Sequence, residues 1–284
     1  MKVIDSLLTG LIDYAGLYPP AGLDMQSVMR SYLSYARGQH AHALGRFLVD
    51  MNRLPELCQA AGDSMRSLRL SVIASPEAVS ESLQRLLDDG FPIDAIEIKT
   101  NLLAEVERIS KRIPTGLRAY FEVPAGFPNS ELFRAISAAG ARIKLRMGGL
   151  SAEAFPSAQV IANMLKALSS RRIPFKATAG LHHPIRSRRP LTNEPGSPVG
   201  TMHGFINLVC ASALLHFGGE TSDAKKVLDE ENPGAWQVTP ANVGWRSYSW
   251  SADQLRMVRQ QSFISFGSCS FEEPLRDLEV LGWL

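Results

Sequence analysis

The sequence predicts an α/β fold, a (β/α)8 TIM barrel, on three observations. Eight short β-rich runs alternate with segments of helical periodicity, the pattern of successive βα units on a parallel sheet. Helix start and stop residues fall at the joints between them. The first run is not followed by the GxGxxG turn that the competing architecture, a doubly wound sheet, more often carries there. A length of 284 residues fits one such domain, 1–284, because barrels of this size enclose one core.

In chain order the expected strands are 11–17, 46–51, 68–74, 95–100, 117–123, 142–147, 174–179 and 262–268. Val79, Leu83, Leu86 and Leu87 repeat at helical spacing after the third. Val160, Ile161, Met164, Leu165 and Leu168 do so after the sixth. Ser75-Pro76-Glu77 and Ser130-Glu131 read as helix openings, and Gly90 and Gly140 as stops just before a strand. About 80 residues separate strands seven and eight, where a barrel needs about 30. This insertion, 181–261, holds Arg186, Arg188 and Arg189 in a Pro-rich loop, a strong helix near 200–217 and a Trp- and Asn-containing stretch at 235–250. It follows a strand's C-terminal end, so it is expected on the catalytic face as a lid or subunit contact.

Composition points to a small-molecule partner. A formal charge of +2 is too small for a nucleic-acid footprint, and no basic run marks a membrane-surface helix. Cys58, Cys210 and Cys269 form no CxxC pair, which suits a reducing, cytoplasmic compartment without disulfides. The N-terminal residues 1–12 lack a signal-type apolar stretch, and 205–217 is too short to span a bilayer, so a soluble, unprocessed chain is expected.

Strand side chains alternate between the barrel lumen and the helix layer. With Ile96 and Ile98 outward, Glu97 and Lys99 point in. Ile143 and Leu145 outward leave Lys144 and Arg146 inward. Phe175 and Ala177 flank an inward Lys176, and Tyr120 and Glu122 share the inner face of strand five. Buried lysines and carboxylates are costly unless they pair or shift their pKa values, and a site that needs a free amine is one place where function offsets that cost. A lysine amine attacks a carbonyl carbon, a second cation nearby lowers its pKa, and a carboxylate such as Glu97 moves the protons. The chemistry expected is class I aldol cleavage or condensation on a small aldehyde or keto substrate. It asks for neither cofactor nor metal.

These residues resemble deoxyribose-phosphate aldolase and related class I aldolases. Gly140-Ala141-Arg142-Ile143-Lys144 is similar to the family's strand six, which carries the Schiff-base lysine. Phe175-Lys176-Ala177-Thr178-Ala179-Gly180 is similar to its strand seven, with a second lysine in a KxxGG-like stretch. Asp94-Ala95-Ile96-Glu97-Ile98 looks like its D-x-V-D-x-V, Leu11-Ile12-Asp13-Tyr14 like its I-D-H-T opening, and Phe266-Gly267-Ser268-Cys269-Ser270 like its F-G-x-S-S phosphate turn. The resemblance implies Lys144 as nucleophile, Lys176 as its helper and Glu97, in an aspartate's place, as proton shuttle. It also implies Asp13, Thr178, Gly180, Gly267, Ser268 and Ser270 around a substrate that is phosphorylated or carboxylated, and a homo-oligomer. Ala179 stands where the family has its first glycine.

Other residues carry competing readings. His182 and His183 follow strand seven, and His203 and Asn207 lie one turn apart on the insertion helix, as lid or supporting residues or, for the histidines with Asp13 or Asp50, as ligands of a metal-dependent hydrolase or isomerase. Arg146, Arg186, Arg188 and Arg189 are candidates for bidentate binding of a substrate anion. Tyr14-Ala15-Gly16-Leu17-Tyr18-Pro19-Pro20 is either a pocket wall or a stiff turn. A barrel without catalysis, serving as a binding or assembly subunit, is the third reading.

Overall fold

The computed structural model describes every residue except Met1, Ser80, Asn101, Phe127, Pro128, Asn193 and Glu194, and excludes the side chains of Glu81 and Ser82. Its strands are β1 Ile12–Tyr14, β2 Leu44–Asp50, β3 Leu70–Ala74, β4 Ile93–Lys99, β5 Arg118–Pro124, β6 Arg142–Arg146 and β7 Phe175–Thr178. Two small sheets follow, β8 Ser187–Pro190 with β9 Val199–Met202, and β10 Trp236–Val238, β11 Asn242–Trp245 and β12 Tyr248–Ser251. β13 Phe263–Ser268 is the eighth barrel strand. β1–β7 and β13 are parallel neighbours in a closed ring, in the order β1-β13-β7-β6-β5-β4-β3-β2. The barrel is the predicted one, and closure excludes the doubly wound alternative.

The helices are α1 Val3–Leu8, α2 Met25–Tyr35, α3 Leu54–Ala61, α4 Glu81–Asp88, α5 Leu103–Ser110, α6 Ser130–Ala138, α7 Ala158–Ser170, α8 Phe205–His216, α9 Thr221–Asp229, α10 Ala252–Gln261 and α11 Glu272–Val280. Their starts use side-chain acceptors for orphan amides: Asp24 accepts from Ser27 N, Ser157 from Val160 N, and Ser251 forms a capping box with Gln254. One expected start moves. Ser75-Pro76-Glu77 lies in a turn closed by Ala78 N to Ser75 O at 3.0 Å, and the helix begins at Glu81. α6 begins at Ser130 as expected, with the Asn129 amide oxygen before it accepting from Glu131 N and Leu132 N.

The insertion needs a larger correction. Phe205 N donates to His183 O at 3.0 Å, so α8 starts beside the C-terminal end of β7. His216 Nδ1 lies 3.0 Å from Ser262 Oγ, so it ends beside the start of β13. That antiparallel return is the barrel's own seventh helix, not a lid. Phe205–Leu215 are all buried because α7, α10 and β13 pack on one side and α9 covers the other. α10 lies on α1 and β13, and β11 reaches α1. Among the described residues of 181–261, those of the loop and hairpin before α8 line the strands' C-terminal mouth, where Leu191 and Met202 form a wall. A mostly apolar helix satisfies its burial by joining the helix layer, which left the lid expectation too broad.

Candidate active site

The predicted parity holds on each strand that carries charge. Ile96, Ile98, Ile143, Leu145 and Ala177 are fully buried outside the lumen, and Glu97, Lys144 and Lys176 are buried inside it. Register then sets neighbours: Glu122 lies opposite Lys144, and Lys144 opposite Lys176. The result is a zigzag of alternating charge across the barrel. Asp13 Oδ2 is 2.5 Å from Lys176 Nζ, which is 2.6 Å from Glu97 Oε1. Glu97 Oε2 is 2.7 Å from Lys144 Nζ, which is 2.8 Å from Glu122 Oε2. Arg146 closes the series at 2.6 Å from Glu122 Oε1.

Hydroxyl and backbone donors complete the deep end. Ser265 Oγ donates to Asp13 Oδ2 at 2.8 Å, Ser71 Oγ to Glu97 Oε1 at 2.6 Å, and Arg46 N to Asp13 Oδ1 at 2.7 Å. Gly45 makes the last contact possible: a Cβ there would collide with Asp13 Oδ1. Burial alone would push Lys176 down. The carboxylates of Asp13 and Glu97 outweigh it and hold the amine well above the ordinary lysine value. Burial pushes Glu97 up, but Lys144 and Lys176 together hold its carboxyl far below the usual range. Glu122 is lowered likewise by Lys144 and Arg146 against its own burial.

This corrects two expected roles. Lys176 does not stand as a bare second cation beside Lys144, because Glu97 lies between the two amines. Glu97 is not a shuttle open to substrate: it is 1% exposed and lies between the two lysines. The carboxylate beside Lys144 that faces the cleft is Glu122.

Above this series opens a cleft of about 400 Å³. Lys144, Glu122, Arg146 and Lys99 form its charged side, with Thr178, Ala179, Gly180 and Gly267 beside them. Tyr18, Pro19, Pro20, Leu48 and Ile73 also line it, as do the apolar Phe155, Leu191 and Met202. The 14–20 segment is therefore pocket wall at its far end, while Tyr14 is buried edge-on against Tyr35. Tyr18 donates to Asp50 Oδ2 at 3.0 Å. Gly180, at φ +68°, packs so closely under Phe155 that a Cβ would strike the ring. Phe155, Leu191 and Met202 lie on loops and hairpins where no periodicity applies, so sequence patterns do not find them. Leu48 and Ile73 follow from strand parity.

The remaining predicted residues separate by place. Asp13 is buried beneath the cleft and holds Lys176. Ser268 and Ser270 do not line the cleft. Ser270 N donates to Ser268 Oγ at 3.3 Å and Ser270 Oγ accepts from Glu273 N at 3.1 Å, so the turn caps α11. His182 lines the cleft, with Nδ1 3.4 Å from Glu273 Oε2. His183 Nδ1 is instead 2.6 Å from Asp277 Oδ2. His203 Nε2 donates to Pro156 O at 2.7 Å and its Nδ1 accepts from Arg186 Nη1 at 3.2 Å. Burial and that guanidinium, against the carbonyl, push its pKa down to about 4. Arg186 N donates to Asn207 Oδ1 at 3.0 Å, and Asn207 donates to Val227 O and Glu230 O. Arg186, His203 and Asn207 thus brace the loop onto α8 and α9. Among the described residues no three His, Cys, Asp or Glu side chains converge to hold a metal ion.

The chain matches no known family model and no curated protein. The geometry therefore stands alone as the guide to chemistry. Among the described residues no helix is long and apolar enough to cross a membrane.

Proposed function

We propose that the protein is a class I aldolase-like lyase that joins Lys144 to a small aldehyde or keto substrate as a Schiff base. The observation that carries this reading is Lys144 itself: a lysine 4% exposed, held between two carboxylates, that nevertheless lines the cleft at a barrel strand's C-terminal end. Lys176, fully buried and held charged, is its positioning partner through Glu97.

Charge balance supports covalent work in this series. A lysine ammonium and a carbonyl give an iminium and one water, with no net proton gained or lost, so the alternation of charge survives the step. Attack needs the free amine only transiently, and Glu122 at the cleft surface is placed to take that proton and return it to the leaving hydroxyl. For a β-hydroxy carbonyl substrate, Glu122 then accepts the hydroxyl proton through water. The Cα–Cβ bond breaks, and its electron pair flows into the iminium to leave a neutral enamine and a free aldehyde. Protonation of the enamine carbon and addition of water release the second product. Arg146 and Lys99 at the rim suit a carboxylated or phosphorylated substrate. The reading carries with it a cytoplasmic homo-oligomer acting on small carbonyl compounds.

Borohydride reduction in the presence of a panel of aldehydes, ketones and keto acids, followed by peptide mass spectrometry, tests the proposal. The expected result is a reduced adduct on the Lys144 peptide that disappears in Lys144→Met. Absence of any lysine adduct across the panel overturns it.

A further inference from the structure

The opposite end of the lumen carries a pattern that the cleft chemistry does not use. On β2 and β5 the inward residues are Arg46, Leu48 and Asp50, and Arg118, Tyr120 and Glu122; on β6 they are Arg142, Lys144 and Arg146. Just before β3, Arg69 leads into Ser71 and Ile73 in the same parity. Four guanidinium groups therefore ring the barrel's N-terminal mouth. A register shift between Leu70 and Ser71 against Ile93 and Ala95 leaves Asp94 unpaired and free to turn toward them.

Asp94 accepts from Arg46 Nε at 2.7 Å and Arg69 Nη2 at 3.3 Å, and pairs with Arg118. Arg46 also lies 3.9 Å from Asp13, a carboxylate already held by Lys176. Among the described residues Arg69 and Arg118 have no other carboxylate partner, and Arg142 has none. The Arg142 guanidinium lies 5.8 Å from the centre of the Tyr120 ring. Arg259, buried at the same end, gives its donors to the carbonyl oxygens of Phe263, Leu7 and Ile264 rather than to an acid. The Tyr120 hydroxyl is buried without a partner among the described residues. This end has donors and positive charge in excess and lacks acceptors.

We propose that the N-terminal mouth of the barrel binds a small phosphate-bearing anion, separate from the substrate cleft at the other end. Guanidinium forks match phosphate oxygens two at a time, and three guanidinium groups sharing the one carboxylate of Asp94, with Arg142 beside them, favour a multivalent anion over a single carboxylate. The proposal does not rest on the Schiff-base reading.

Isothermal titration of the full chain with pyrophosphate, in a low-salt buffer free of phosphate, tests it, with inorganic phosphate and citrate as comparison ligands. Saturable pyrophosphate binding is expected to weaken at least about tenfold in Arg69→Gln/Arg118→Gln and in Arg142→Gln, and with added salt, while Arg188→Gln, on the exposed β8 hairpin, leaves it unchanged. Arg142→Gln strands no carboxylate, so it decides the matter if the double variant is misfolded by circular dichroism. No saturable binding overturns the site, as does binding that depends on Arg188 instead. Tighter binding of citrate than of pyrophosphate overturns the phosphate assignment.

Discussion

Replacing Lys176 by Met isolates what the deep half of the charge series is worth. Lys176 is fully buried, with carboxylate oxygens at 2.5 and 2.6 Å. Methionine keeps most of the side-chain volume, so the cavity contribution is small. What changes is that Asp13 and Glu97 lose their shared cation. Asp13 retains Ser265 and the Arg46 amide, and Glu97 retains Ser71 and Lys144. Removing one member of a buried ion pair costs about 3–5 kcal/mol, because the stranded charge cannot recover its hydration. For a chain of this size that corresponds to a Tm lower by about 5–8 °C. The pH dependence has a definite sign. The folded pKa of Lys176 is raised, so its contribution is complete below the unfolded value near 10.4 and is lost only as pH rises beyond it. At pH 7.5 the wild type therefore holds all of it. In the variant a carboxylate can relieve the strain by taking a proton, so the stability gap is expected to narrow from pH 8 to pH 5. Urea unfolding followed by circular dichroism at pH 5, 6.5 and 8 measures both effects. A loss under about 1 kcal/mol at pH 8, or a gap that widens toward pH 5, would refute the buried series as described.

The other expectations are simpler. Glu97 and Glu122 are held below their ordinary values, so their contribution is present above the unfolded pKa near 4.3 and is lost as pH falls; the urea midpoint of the wild type should drop between pH 5 and 3 more steeply than that of Glu97→Gln, and equal slopes would contradict this. Gly180→Ala introduces a Cβ at φ +68° against the Phe155 ring and should cost about 1–3 kcal/mol in thermal unfolding, an unchanged Tm arguing against that packing. Tyr120→Phe removes a buried hydroxyl that has no partner among the described residues, so without added anion it should leave stability unchanged or raise it by about 1 kcal/mol, whereas a comparable loss would reveal a bond to the hydroxyl.

The sequence by itself determined the barrel and the direction of its inner side chains, because both follow from short-range periodicity. A period of two along β4, β6 and β7 sends Glu97, Lys144 and Lys176 to one side whatever the rest of the chain does. The same rule, carried one step toward the strand starts, also holds the arginine ring of Arg46, Arg69, Arg118 and Arg142. Tertiary structure decided the matters that depend on register and closure. Parity says that two lysines face inward, but only the stagger of neighbouring strands places Glu97 between their amines and Glu122 at the surface. It also decided that the apolar segment Phe205–Leu215 belongs to the helix layer, since burial on all sides depends on α7, α9, α10 and β13 arriving from distant parts of the chain. The apolar lining formed by Phe155, Leu191 and Met202 has the same origin: loops and hairpins converge at the mouth only once the barrel is closed.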